Sequence, residues 1–152
     1  MTFIERLQED LKDAMRGKEK VRLRTIRSLR AALLEKEIEL RTEGEAALTD
    51  EVALSVVQKQ AKKRRDSIEQ YQAASRADLA AQEQAELEIL EAYLPAQASD
   101  EEIRAVIRDV IGSTGASSVA DMGKVMGPAM GRLRGKADGR RISDIARELL
   151  SE

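Results

Sequence analysis

The chain has 152 residues, 42% hydrophobic and 36% charged, with a net charge of −2 and neither cysteine nor histidine. That excludes disulfides, thiolate chemistry and cysteine metal sites, and removes the commonest general base and metal ligand. Phe3, Tyr71 and Tyr93 are the only aromatics, too few for a stacking platform under single-stranded nucleic acid.

No apolar run approaches the roughly 18 residues of a membrane span, and Met1–Asp10 carries three acids. These features predict neither a span nor a signal peptide, and cytoplasm is the default location. The cores are expected to be aliphatic and alanine-rich.

Thr2-Phe-Ile-Glu5 fits a capping box and opens a first helix to about Met15, with Gly17 as its break. Glu19–Arg41 forms a longer helix with Leu23, Ile26, Leu29, Leu33 and Leu40 on one side. Arg22 and Arg30 flank that face, placed either to close a seam with carboxylates or to project as a basic patch. A polar loop around Gly44, Thr42–Leu48, leads to Thr49-Asp-Glu51, which opens a third helix to about Gln72. Its seam runs Ala53, Val57, Ala61, Ile68 and Tyr71, with Arg64 between as either a paired core-edge residue or a functional one. Ser75-Arg-Ala-Asp78 fits a second capping box before a helix with Leu79, Leu87, Leu90 and Leu94 that must end at Pro95.

Pro95–Ala98 is the expected boundary between an N-terminal bundle, residues 1–94, and a C-terminal domain, residues 99–152. Ser99-Asp-Glu-Glu102 opens a helix with Ile103, Val106, Ile107, Val110 and Ile111, followed by a loop over Gly112–Ser118. The last helix, from about Gly139, carries Ile142, Ile145, Ala146, Leu149 and Leu150. These spacings suit three helices sharing one core. No period-2 run of β-branched residues occurs, so the fold class is all-α.

Between these two helices lies Asp121–Gly139, with Gly123, Gly127, Gly131 and Gly135 at an unbroken four-residue spacing. Met122, Val125, Met126, Ala129, Met130 and Leu133 recur at helical intervals and give an apolar face centred near Met126 and Leu133, with Gly135 as the stop. The glycines start beside that face and drift by about 40° per step to the opposite side. Each interior glycine costs a helix about 1 kcal/mol against alanine, and Pro128 about 3. A compensating close approach is expected, either by a neighbouring helix or by a ligand backbone.

Charge is distributed in blocks. Arg16–Arg30 and Lys59–Arg65 are basic, whereas Glu35–Glu51 and Asp78–Glu91 are acidic. Such blocks either pair across helices or leave a focused surface. Met122–Arg141 holds six bases, Lys124, Arg132, Arg134, Lys136, Arg140 and Arg141, against one acid, Asp138. These six are the expected phosphate contacts, with Lys62, Lys63 and Arg65 as a secondary patch; such contacts orient a nucleic acid without reading its bases.

Catalysis finds little to work with. Ser117 or Ser118 with Lys124 is the one conceivable Ser–Lys pair, and serine before a helix is ordinarily a cap. Glu35/Glu39 and Glu83/Glu86 read as solvated helix surface. No catalytic residues, metal site or cofactor are predicted.

KKRRDSIEQY (62–71), LEAYLPAQ (90–97), MGKVMGPAM (122–130) and GKADG (135–139) resemble the GatB/YqeY family over nearly the full length. The resemblance implies a four-helix bundle followed by a smaller three-helix bundle. The module is similar to the tail of the B subunit of the glutamine-dependent aspartyl/glutamyl-tRNA amidotransferase, which helps hold mischarged tRNA while other parts do the chemistry. Nothing here resembles the cradle domain or an amidase-type Ser–Ser–Lys site. The expected partner is therefore tRNA or another RNA, with no activity of the chain's own. The alternative is a helical adaptor for an amidotransferase or synthetase complex.

Overall fold

The computed structural model describes residues 1–44 and 47–152. Over these residues the chain is all-α: α1 (Phe3–Arg16), α2 (Lys20–Thr42), α3 (Asp50–Ala73), α4 (Ala77–Glu91), α5 (Asp100–Thr114), a 3-10 turn (Val119–Asp121), α6 (Met122–Arg132) and α7 (Gly139–Leu150). Two compact units result, Met1–Leu94 and Pro95–Glu152. Glu45 and Ala46, within the loop expected at Thr42–Leu48, lie outside the described residues.

In the first unit, Leu7 and Ala14 of α1 pack with Ile26, Leu29 and Leu33 of α2, Ala53 and Val57 of α3, and Leu90 and Tyr93 at the end of α4. Tyr93 ties that end to α1. Its hydroxyl donates to Asp10 at 2.6 Å, its ring lies 5.6 Å from Phe3, and the Arg6 guanidinium sits 4.8 Å over it. Burial, then the adjacent Asp10 carboxylate, raise the Tyr93 pKa well above that of an ordinary phenol.

Charge supplies the rest of the register. Glu86, a core position on α4, is buried and accepts Arg24 of α2 and Arg64 of α3, both at 2.8 Å. Arg64 also reaches Glu83 at 2.9 Å. Arg64 is thus a paired core-edge residue, and Arg22 closes the α1–α2 seam on Asp10 at 3.5 Å.

The second unit is built on Ile103, Ile107 and Val110 of α5, Val125, Ala129 and Leu133 of α6, and Ile142, Ile145, Ala146, Leu149 and Leu150 of α7. Ser99 and Glu102 form the capping box that starts α5, as Thr2 and Glu5 do for α1. The loop expected from Gly112 begins later: α5 runs through Gly112 to Thr114, and Gly115, at φ 72°, caps it.

α1 stops at Gly17 as expected, but Gly17 is right-handed, and the left-handed residue of the closing turn is Lys18, at φ 53°. Ser75, expected to cap α4, is instead left-handed at φ 58°, and Arg76 precedes α4 without a side-chain cap. The reason is competition for the same residues by the preceding helix. Glu19 and Lys18 donate back to Ala14 and Met15, and Arg76 and Ser75 donate back to Tyr71 and Gln72. Both are Schellman closures carrying a side chain where glycine is preferred.

Left-handed backbone at a non-glycine residue costs roughly 1–2 kcal/mol, part of which glycine returns as chain entropy. Lys18→Gly and Ser75→Gly are each expected to stabilise the protein by about 0.5–1 kcal/mol, read as a raised urea midpoint. Ile107→Ala, which empties a fully buried site, is expected to cost about 2–5 kcal/mol on the same measurement.

Candidate nucleic-acid interface

The turn that leads into α6 is closed by Asp121. Its carboxylate accepts the Ser117 and Ser118 N–H groups at 2.9 and 3.4 Å and lies 3.6 Å from the Lys124 ammonium. The Ser117 N–H, followed by Ser118 and Lys124, holds its pKa below the usual carboxylate range against a smaller opposing effect of burial. Ser117, Ser118 and Lys124 therefore meet through a carboxylate in a helix-entry turn.

The apolar face of α6 is rotated from the one expected. Val125, Ala129 and Leu133 are buried, while Met122 and Met126 pack partly against the core. Met130 is 42% exposed. Its thioether lies over Gly139, where an added Cβ would meet the Met130 Cε at 3.1 Å. The helix also ends earlier, at Arg132, with Gly135 left-handed at φ 76° in the turn that follows.

Gly123, Gly127 and Gly131 are exposed, and a Cβ built on any of them meets nothing within 4 Å. No neighbouring helix among the described residues therefore uses the strip for close packing. With Val125, Ala129 and Leu133 defining the inward side, Gly131 points nearly straight out at about 100° per residue, and Lys124 lies beside it. Pro128 lacks an N–H, so the Lys124 carbonyl on this outer side loses its ordinary helical donor.

All six bases of this region, Lys124, Arg132, Arg134, Lys136, Arg140 and Arg141, are exposed. Arg132 bonds Asp109 of α5, Arg141 bonds Asp100 in the first turn of α5, and Lys124 lies beside Asp121. The turn bearing Lys136 is held by backbone: its carbonyl accepts the Ala98 N–H at 2.7 Å, and the Gly135 carbonyl accepts the Gln97 amide at 3.0 Å.

In the other unit, Arg65 turns to Glu91 at 3.5 Å and is half-buried. Only Lys62 and Lys63 of the secondary patch are exposed, because Arg64 and Arg65 lie on the side of α3 that faces α4. The Glu83/Glu86 pair, expected as solvated surface, is instead engaged by arginine.

Comparison with known proteins gives the family. The family model described as "Yqey-like protein" matches residues 4–150. The chain is 34% identical over 135 residues to "Altered inheritance of mitochondria protein 41, mitochondrial" of Pyrenophora tritici-repentis, covering 87% of the chain and 71% of that protein. Proteins of the same name match at 39% over 89 residues in Saccharomyces cerevisiae (strain YJM789) and at 36% over 108 residues in Lachancea thermotolerans. Those two alignments cover 58% and 69% of the chain, and the chain spans only 46% and 56% of the relatives. The chain belongs to the YqeY-like family.

The relatives overturn the cytoplasmic expectation, because each is named as a mitochondrial protein. That expectation rested on a missing apolar run and on acids near Met1, and features of this kind do not fix a compartment.

The open space above the strip gives the sign of a glycine substitution. Gly127→Ala is expected to stabilise the unliganded protein by about 0.5–1 kcal/mol through helix propensity. The check is chemical denaturation, and a loss of stability would show that a neighbour uses the strip.

Proposed function

We propose that this chain is an RNA-binding module, with tRNA as its ligand, that lays the outer face of α6 and the following turn against a phosphodiester backbone. It has no catalytic role of its own in this reading. The observation that carries it is the bare glycine strip, Gly123, Gly127 and Gly131, uncovered and edged by exposed Lys124. A strip without side chains lets a sugar-phosphate chain approach the helix backbone, and Lys124, Arg134, Lys136 and Arg140 supply the attraction. Arg132 and Arg141 would exchange Asp109 and Asp100 for phosphate on binding. The resemblance to the amidotransferase tail supports tRNA over duplex DNA.

A second reading is an adaptor for an amidotransferase or synthetase complex. The pairing of Arg65, Arg132 and Arg141 with carboxylates favours it, because it lowers the net field that RNA would meet.

The salt dependence of tRNA binding separates the two readings. Each phosphate contact adds roughly 0.7–0.9 to the log–log slope, so replacing Lys124, Arg134 and Lys136 by glutamine should flatten it by about two units. Helix content by circular dichroism should not change. The same replacements at exposed Arg6, Lys12 and Arg76, outside all the basic blocks, should leave the slope alone. Equal losses from both triples would show diffuse attraction, and the α6 site would then be abandoned. Salt-insensitive capture of an amidotransferase or synthetase subunit, with no tRNA binding, would favour the adaptor.

A further inference from the structure

The basic block Arg16–Arg30 holds seven bases against one acid, Glu19, and the fold divides it. Arg22 turns to Asp10 and Glu19, and Arg24 to Glu86. Lys20, Arg27 and Arg30 are exposed, and among the described residues none of the three has a carboxylate partner. The α6 region differs, because Lys124, Arg132 and Arg141 each lie beside an aspartate.

The buried residues Thr25, Ile26, Leu29, Leu33 and Leu40 fix the inward side of α2. At 100° per residue, Lys20, Arg24 and Arg27 lie within about 40° of the opposite direction, and Arg30 stands at the edge of that face. The row is about 15 Å long at 1.5 Å per residue. From Lys20 to Leu33 the helix has no acid, and no large apolar side chain stands on its outward side before Leu34. Val21, the nearest exposed one, lies about 80° to one side.

These charges do not serve the helix that bears them. Lys20 is in the first turn, where the dipole favours acids, and that turn holds none. Arg24, Arg27 and Arg30 follow at three-residue spacing, which sets like charges side by side.

We propose that this edge of α2 is a second phosphate-contact surface, on the first unit, for the RNA ligand. The inference rests on the RNA-binding reading above and adds to it a surface which that reading does not use. A phosphodiester backbone supplies the counter-charges the fold withholds, set along a line as these cations are. An acidic protein would need an apolar or aromatic anchor among the charges, and the outward side of this row has none.

The test is titration of the full chain with tRNA over a series of salt concentrations. Lys20→Gln with Arg27→Gln and Arg30→Gln should flatten the log–log salt slope by about two units, with an unchanged circular dichroism spectrum. Arg24 is kept in this variant because it holds Glu86. The Arg6, Lys12 and Arg76 triple is the control and should leave the slope alone. An α2 triple with the wild-type slope would overturn this inference, and a slope still flattened by the Lys124, Arg134 and Lys136 triple would leave the α6 reading standing without it. The converse pattern would keep the α2 surface and remove the α6 one. Poly-glutamate that displaces tRNA as readily as unlabelled tRNA does would assign the edge to an acidic protein and overturn the proposal. A wild type that binds no tRNA at any salt concentration would remove both surfaces.

Discussion

Glu86 and its two arginines hold the first unit in register. With so few aromatics, α2, α3 and α4 meet through alanines and modest aliphatic side chains, which slide past one another at little cost. A nearly dehydrated carboxylate between Arg24 and Arg64 does not slide, because displacing either guanidinium leaves charge buried without compensation. The bundle therefore gains specificity of alignment from an interaction whose net contribution to stability is modest. Arg24, with most of its side chain in water, contributes least to that locking.

The same constraint explains the basic block in α3. Lys62-Lys63-Arg64-Arg65 reads as one cationic run, yet a helix turns 100° per residue and separates its members. Two remain outside, and two turn toward the acids of α4. The partner of each arginine lies far along the chain: Glu83 is 19 positions from Arg64, and Asp100 is 41 from Arg141. Local sequence shows where charge is concentrated. Which part of it is neutralised depends on helix pairing, and charge blocks alone do not encode that.

The helices themselves were legible because their apolar positions recur at helical spacing, and α1 and α5 announce their starts through capping boxes with both reciprocal bonds formed. Their ends were less so. Ser75 satisfies the pattern of an N-cap for α4, but α3 claims it first to close its last turn. Gly17 does stop α1, but the closure places its left-handed residue one position later, at Lys18. In α6 the rotation of the buried face by about 50° has a similar origin. Once Val125, Ala129 and Leu133 meet the core, Met130 moves to the rim and folds over Gly139.

That rotation changes what the glycines mean. Had the buried face been centred on Met126 and Leu133, Gly123 would have flanked the core, and a neighbouring helix could have explained it. With the inward side at Val125, Ala129 and Leu133, the strip faces away, and Gly131 is nearly diametrically opposed to the core. Glycine there lowers helix propensity without any packing return inside the chain. Pro128, which has no N–H to offer the Lys124 carbonyl, adds a second departure from helix propensity. The low propensity of α6 is thus set on the side turned from the core, the side on which the proposed phosphodiester contact would have to be made.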